Sequence, residues 1–191
     1  MLIFGIPFLI QIIFMVSVFA SLIIRPGPDT GFMFEYAGVY MAIMVLFNGL
    51  LFAWYWCVAI GLQSKVPQHV RMKLKKFKTL FLVPVIYLLL FCSVFIFGMV
   101  SISGPSDLAE RSFEWIGILF IIVFPLHLFS MFCIFYSLYF VAKTLRTVEL
   151  QREVSFSDFA GEFFLIWFYP IGIWIIQPRI NKIVTSNAIG N

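Results

Sequence analysis

No lysine, arginine, aspartate or glutamate occurs in residues 2–24, 38–62, 79–103 or 115–142. Charged residues make up 12% of the chain and hydrophobic ones 62%, where a soluble domain is about a quarter charged and half apolar. This shortage of charge excludes an ordinary water-solvated domain. Each uncharged run exceeds the ~20 residues that cross ~30 Å of hydrocarbon as a helix. Helices are expected because lipid offers no partners for backbone N–H and C=O groups. The strict alternation of a membrane β-barrel is also missing. The sequence therefore predicts an all-α, polytopic membrane protein: four transmembrane helices within one membrane domain over residues 1–191.

Groups that carry chemistry are equally scarce. The three cysteines, Cys57, Cys92 and Cys133, all fall inside apolar runs and form no C-x-x-C pair, which excludes a disulfide framework and gives no sign of zinc or redox chemistry. Only two histidines are present, His69 in a loop and His127 in a run, so bis-His haem ligation within the membrane is excluded. No catalytic, metal-binding or nucleotide-binding motif stands out, and the expectation is a non-enzyme with no cofactor and no metal. No basic residue precedes the first run, which is too long for a signal-peptide core despite the small-residue spacing of Val18-Phe19-Ala20. It is read as an uncleaved span.

The charges that are present set an orientation. Loop 63–78 carries Lys65, Arg71, Lys73, Lys75, Lys76 and Lys78 and no acid. Loop 25–37 has Arg25 against Asp29 and Glu35, and loop 104–114 has Arg111 against Asp107, Glu110 and Glu114. Short loops rich in Lys and Arg stay cytoplasmic, which places loop 63–78, the N-terminus and linker 143–162 inside. The linker adds Lys143, Arg146 and Arg152. Tyr36, Tyr40 and Trp115 fit an outer aromatic belt, and Trp54, Tyr55, Trp56, Tyr136 and Tyr139 an inner one. With Pro67 in a first turn, Val70, Leu74 and Phe77 share a face, which describes a short basic amphipathic helix suited to anionic lipid headgroups or an acidic partner. The simpler reading is a topology signal alone. The patch is short and lacks a nucleic-acid-binding motif, so no nucleic acid is expected. Pro26-Gly27-Pro28-Asp29 and Gly104-Pro105-Ser106-Asp107 mark turns.

The C-terminal region is ambiguous. Ser155 and Asp158 occupy capping-box positions, so a helix from about Ser157 puts Asp158 and Glu162 one turn apart on one face. Their ordinary role there is to complement the helix dipole. Phe163–Ile176 is apolar for only fourteen residues, a length that suits a re-entrant or interfacial segment. Pro170 and Gly172 break it, and Gln177-Pro178-Arg179 offers a fresh helix start. If segment 163–177 turns back, Arg179 and Lys182, on tail 178–191, return to the side of Asp158 and Glu162 and can pair with them. A fifth span over Phe159–Pro178 would put two bases outside, against the positive-inside rule. Length and charge favour the dipping form. The stretch SFSDFAGEFFLIWFYPIGIWIIQPRINK resembles the ending of small, uncharacterised bacterial integral membrane proteins with no assigned activity. The resemblance covers about thirty residues. It implies a bacterial cytoplasmic membrane and transfers no catalytic residue.

Within the runs, Gln11, Asn48, Ser93 and His127 each stand near mid-span. Polar side chains in lipid usually act as interhelical glue, at about 0.6–2 kcal/mol each. They can also mark a ligand, ion or proton site. Two functions follow as expectations. The first is an accessory, assembly or anchoring component acting through a protein partner or homo-oligomer. The alternative is a small oligomeric transporter or channel built on the mid-membrane polar layer. An intramembrane enzyme is a third possibility with little to carry it, since the runs hold one histidine and no acid.

Overall fold

The computed structural model describes residues 10, 12–13, 16–17, 30–102 and 106–185, with the side chains of 30–35, 99–102 and 106–120 left aside. The regular structure among the described residues is helical, with no strand. We label the helices α1 (Thr30–Gly61), α2 (Leu74–Ile102), α3 (Ser106–Leu150), α4 (Phe156–Trp167) and α5 (Tyr169–Thr185), with a single 3-10 turn at Gln63–Lys65. Among the described residues, three segments are long and apolar enough to cross a membrane: Tyr36–Lys65, Leu74–Gly98 and Ile121–Leu150. The expected first span, 2–24, lies almost wholly outside the described residues, as do the turns Pro26-Gly27-Pro28-Asp29 and Gly104-Pro105.

The helices outrun the apolar runs that announce them. α3 has 45 residues, about 68 Å of helix, and includes positions 106–114, expected as loop. Its polar ends are built largely from Glu, Arg, Lys, Leu and Ala, which favour helix as strongly as apolar residues do. α2 begins at Leu74, so Lys75, Lys76 and Lys78 sit on its opening turns. The short basic helix expected from Pro67 does not form. Pro67 instead opens a turn closed by Val70 N–H donating to Pro67 C=O at 2.9 Å. The apolar face survives this change of backbone, because Val70 and Phe77 are both buried.

The chain forms two compact units. The first unit's described residues are 49–81 and 134–185. Its core contains Leu62, Phe77, Phe140, Val141, Leu145, Phe159, Ile166 and Ile176. Phe77 stacks on Phe140 with ring centres 4.5 Å apart. Trp54 and Tyr55 are buried here and so do not serve as an interfacial belt; Trp54 Nε1 donates to Gln177 Oε1 at 2.7 Å, which ties α1 to α5. The other unit's described residues include 30–48, 82–102 and 106–133. Its described helical surfaces expose large apolar side chains, among them Leu46, Ile86, Leu89, Ile96, Ile121 and Phe132. Such a surface is compatible with lipid contact.

Candidate functional site

α3 ends at Leu150 because Gln151 adopts the left-handed conformation, φ 51°, which terminates a helix. Its side chain reinforces the stop: Nε2 donates to Val148 C=O at 2.6 Å and lies 3.4 Å from Lys65 C=O. Four residues later Ser155 opens α4. The Asp158 carboxylate accepts the Ser155 backbone N–H at 2.9 Å, half of the capping arrangement the sequence announces.

The chain then reverses. On one continuous helix Glu162 and Arg179 would stand about 25 Å apart. Here Arg179 Nη2 donates to Glu162 Oε1 at 2.8 Å. The break falls at Phe168, whose N–H closes α4 onto Phe164 C=O. It does not fall at Pro170, which occupies the second position of α5, where a missing N–H costs nothing. Gly172 N–H donates to Phe168 C=O at 2.9 Å. Gly172 is also a point where α5 passes close to α4, since a Cβ there would run into the backbone carbonyl of Leu165. Pro178 starts no new helix; α5 runs through it.

This reversal assembles a charge cluster at the hairpin's open end. Arg179 grips Glu149 with two bonds, Nε to Oε1 at 2.8 Å and Nη2 to Oε2 at 2.5 Å, while also holding Glu162. Arg146 Nη1 lies 3.0 Å from Glu149 and 3.9 Å from Glu162, and its Nε donates to Asp158 C=O at 3.1 Å. Two arginines thus neutralise two glutamates and join α3, α4 and α5. Outside this cluster, Arg152 forms a two-pronged pair with Asp158 at 2.9 and 3.3 Å.

The Arg152 hydrogen bond, with the Ser155 N–H and hydroxyl, pushes the Asp158 carboxyl down to about 2 from its ordinary 3.8. A depressed carboxylate contributes stability that is fully present above the unfolded value and is lost as pH falls through the folded one. The α4 start is therefore expected to loosen between about pH 4 and pH 2. In Asp158→Asn that part of the acid sensitivity should vanish, as followed by amide hydrogen exchange at residues 156–159. Equal acid sensitivity in both proteins would show that Asp158 contributes nothing.

Beside the cluster lies a cleft of about 690 Å³ whose lining includes Lys65, Glu149, Gln151, Arg179 and Lys182. Lys65 Nζ donates to Ile183 C=O at 2.5 Å, which joins the end of α1 to the end of α5. Of the charges singled out in the sequence, Glu162 and Arg179 therefore meet each other. Asp158 meets Arg152 instead, and Lys182 lines the cleft. Glu149 is the member that sequence reading misses; its signal is the i, i+3 spacing from Arg146. In the basic loop, Lys76 lies over the Tyr136 ring at 5.2 Å and Lys78 over the Trp56 ring at 5.9 Å, while Arg71, Lys73 and Lys75 are exposed.

The polar layer is not joined by hydrogen bonds among the described residues. Asn48 donates to Met44 C=O and Ser93 to Leu89 C=O, each within its own helix. His127 Nδ1 meets the Tyr87 hydroxyl at 2.8 Å, a bond between α2 and α3 that the sequence does not announce. Gln11 lies outside the described residues. No group of three or more His, Cys, Asp or Glu side chains among the described residues is placed to hold a metal. No protein-family model, curated protein or solved structure matches the chain.

Proposed function

We propose that this chain is a non-catalytic integral membrane protein of a bacterial cytoplasmic membrane, serving as an accessory, assembly or anchoring component. In this reading residues 2–24 supply a fourth span, the N-terminus is cytoplasmic, and the α4–α5 hairpin dips into the membrane from the cytoplasmic side. The hairpin's own polarity supports that placement. Its tip is apolar and open to the surroundings, with Phe168 62% and Ile171 68% exposed. Its base carries the charge cluster and is tied to the end of the basic loop through Lys65.

The observation that carries the accessory reading is the division of labour among the cations. Arg146, Arg152 and Arg179 are committed to internal ion pairs, so the linker cations Arg146 and Arg152 are poor candidates for a docking surface. Arg71, Lys73 and Lys75 remain exposed on a short strip, and a strip of one sign steers and selects an acidic partner. The variant Lys73→Glu with Lys75→Glu is expected to lose a stoichiometric protein partner in mild-detergent affinity purification while keeping the wild-type melting temperature. Unchanged co-purification would remove the basis for this docking surface. The transporter reading has less support, because Asn48 and Ser93 satisfy themselves on their own helices; the Tyr87–His127 bond is what speaks for it.

A further inference from the structure

We propose that the cleft between the end of α1 and the end of α5 seats the phosphate of an anionic phospholipid headgroup. The proposal rests on the reading that the hairpin tip enters the membrane.

Three cations line the cleft: Lys65 from the 3-10 turn after α1, and Arg179 and Lys182 from α5. Among the described lining residues the one carboxylate, Glu149, is already held by two bonds from Arg179, so this lining keeps an excess of positive charge. Donors remain for a ligand. Lys65 uses one ammonium hydrogen on Ile183 C=O, and an ammonium has three. Arg179 holds its glutamates through Nε and Nη2, which leaves Nη1 outside those bonds. Guanidinium and ammonium groups together suit a phosphate, the first by its fork and the second as a point charge. A volume of about 690 Å³ falls within the range of small-ligand sites and exceeds what a bare phosphate needs.

Depth argues for a lipid rather than a soluble anion. Arg179 lies eleven residues beyond the turn at Phe168, about 16 Å along a helix. Half of a ~30 Å hydrocarbon layer is ~15 Å. A hairpin whose tip reaches the middle of the bilayer therefore holds Arg179 at the level of the headgroups. Lys182, three residues on, stands just beyond, where lysine meets anionic lipid.

The test uses the full chain in mild detergent, with native mass spectrometry after addition of phosphatidylglycerol or phosphatidylcholine. The wild type should retain one phosphatidylglycerol in preference to phosphatidylcholine. Each lysine near an anionic headgroup strengthens binding about fivefold, so Lys65→Gln with Lys182→Gln should weaken retention about 25-fold. Lys143→Gln, on α3 and outside the cleft lining, should retain lipid as the wild type does. Melting temperatures guard against misfolding, and Lys182→Gln alone, with a loss of about fivefold, keeps the test open if the double variant fails to fold. Equal retention of both lipids, or no loss in the cleft variants, overturns the proposal. Saturable binding of inorganic phosphate without selective lipid retention overturns it in favour of a soluble anion. A separate measurement isolates the underlying reading: a cysteine at Ile171 should resist membrane-impermeant maleimide from both sides of a vesicle. Labelling there removes the dipping hairpin; protection together with failed lipid retention removes only the headgroup site.

Discussion

Replacing Gly172 with alanine is expected to dismantle the C-terminal hairpin. The methyl group would enter the space of the Leu165 backbone carbonyl. A side chain can rotate out of such a clash, but a helix backbone moves only by separating the two helices. Overpacking a core costs about 1–3 kcal/mol when side chains can adjust, and a backbone clash belongs at or above the upper end. Separation of α4 from α5 would draw Arg179 away from Glu162 and Gln177 away from Trp54, so the loss should be cooperative. We expect Gly172→Ala to melt well below the wild type in detergent, with a changed Trp54 emission. Gly161→Ala is the control, since nothing lies within 4 Å of a Cβ at that position, and alanine is the better helix former by about 1 kcal/mol. A Gly172→Ala protein as stable as the Gly161→Ala protein would mean the helices do not approach closely there.

The second large effect is expected from Arg179→Met. The substitution preserves much of the side chain's bulk but leaves Glu149 and Glu162 with only Arg146. Removing one partner of a buried ion pair costs about 3–5 kcal/mol, because the other charge stays buried and uncompensated. Arg179 is 30% exposed, so water relieves part of that cost, and about 2–3 kcal/mol is expected. Arg179→Lys should recover only part of the loss, because a lysine cannot form the two-pronged bond to Glu149. Adding Glu149→Gln and Glu162→Gln to Arg179→Met should restore much of the stability, since no unpaired charge then remains. Thermal unfolding of the four proteins tests this. If the triple variant is no better than Arg179→Met, the cluster acts through shape rather than charge.

Three of the four expected apolar helices appear among the described residues, and they were legible because absence of charge over more than twenty residues is itself the physical requirement for crossing lipid. Their ends were not, because a helix stops where capping or backbone geometry stops it, as at Gln151, and not where hydropathy falls. The opposite charges of Glu162 and Arg179 pointed to a pairing across a turn. The i, i+3 spacing marks only the pairing of Glu149 with Arg146; its contact with Arg179 depends on α3 passing the hairpin's base, which no local pattern encodes. Gly172 read as a helix breaker, whereas its function in the fold is to admit a neighbouring backbone. Asn48 and Ser93 looked like a shared polar layer because depth in the membrane can be counted along a sequence. Short polar side chains on helices commonly find the carbonyl four residues back, and that choice is invisible to counting.

The clamp also sets an order of events during biosynthesis. Glu149 leaves the ribosome thirty residues before Arg179, a lag of about 2–6 s at ordinary elongation rates. Through that interval the cations nearest its carboxylate in sequence are Arg146 and Arg152, each three residues away. The apolar tip of the hairpin is made in the same interval, before the arginine that closes its base. The cluster can close only once position 179 has been made, and a chain released before it would present two glutamates and an unanchored run of tryptophan and phenylalanine to the machinery that recognises unfinished membrane proteins.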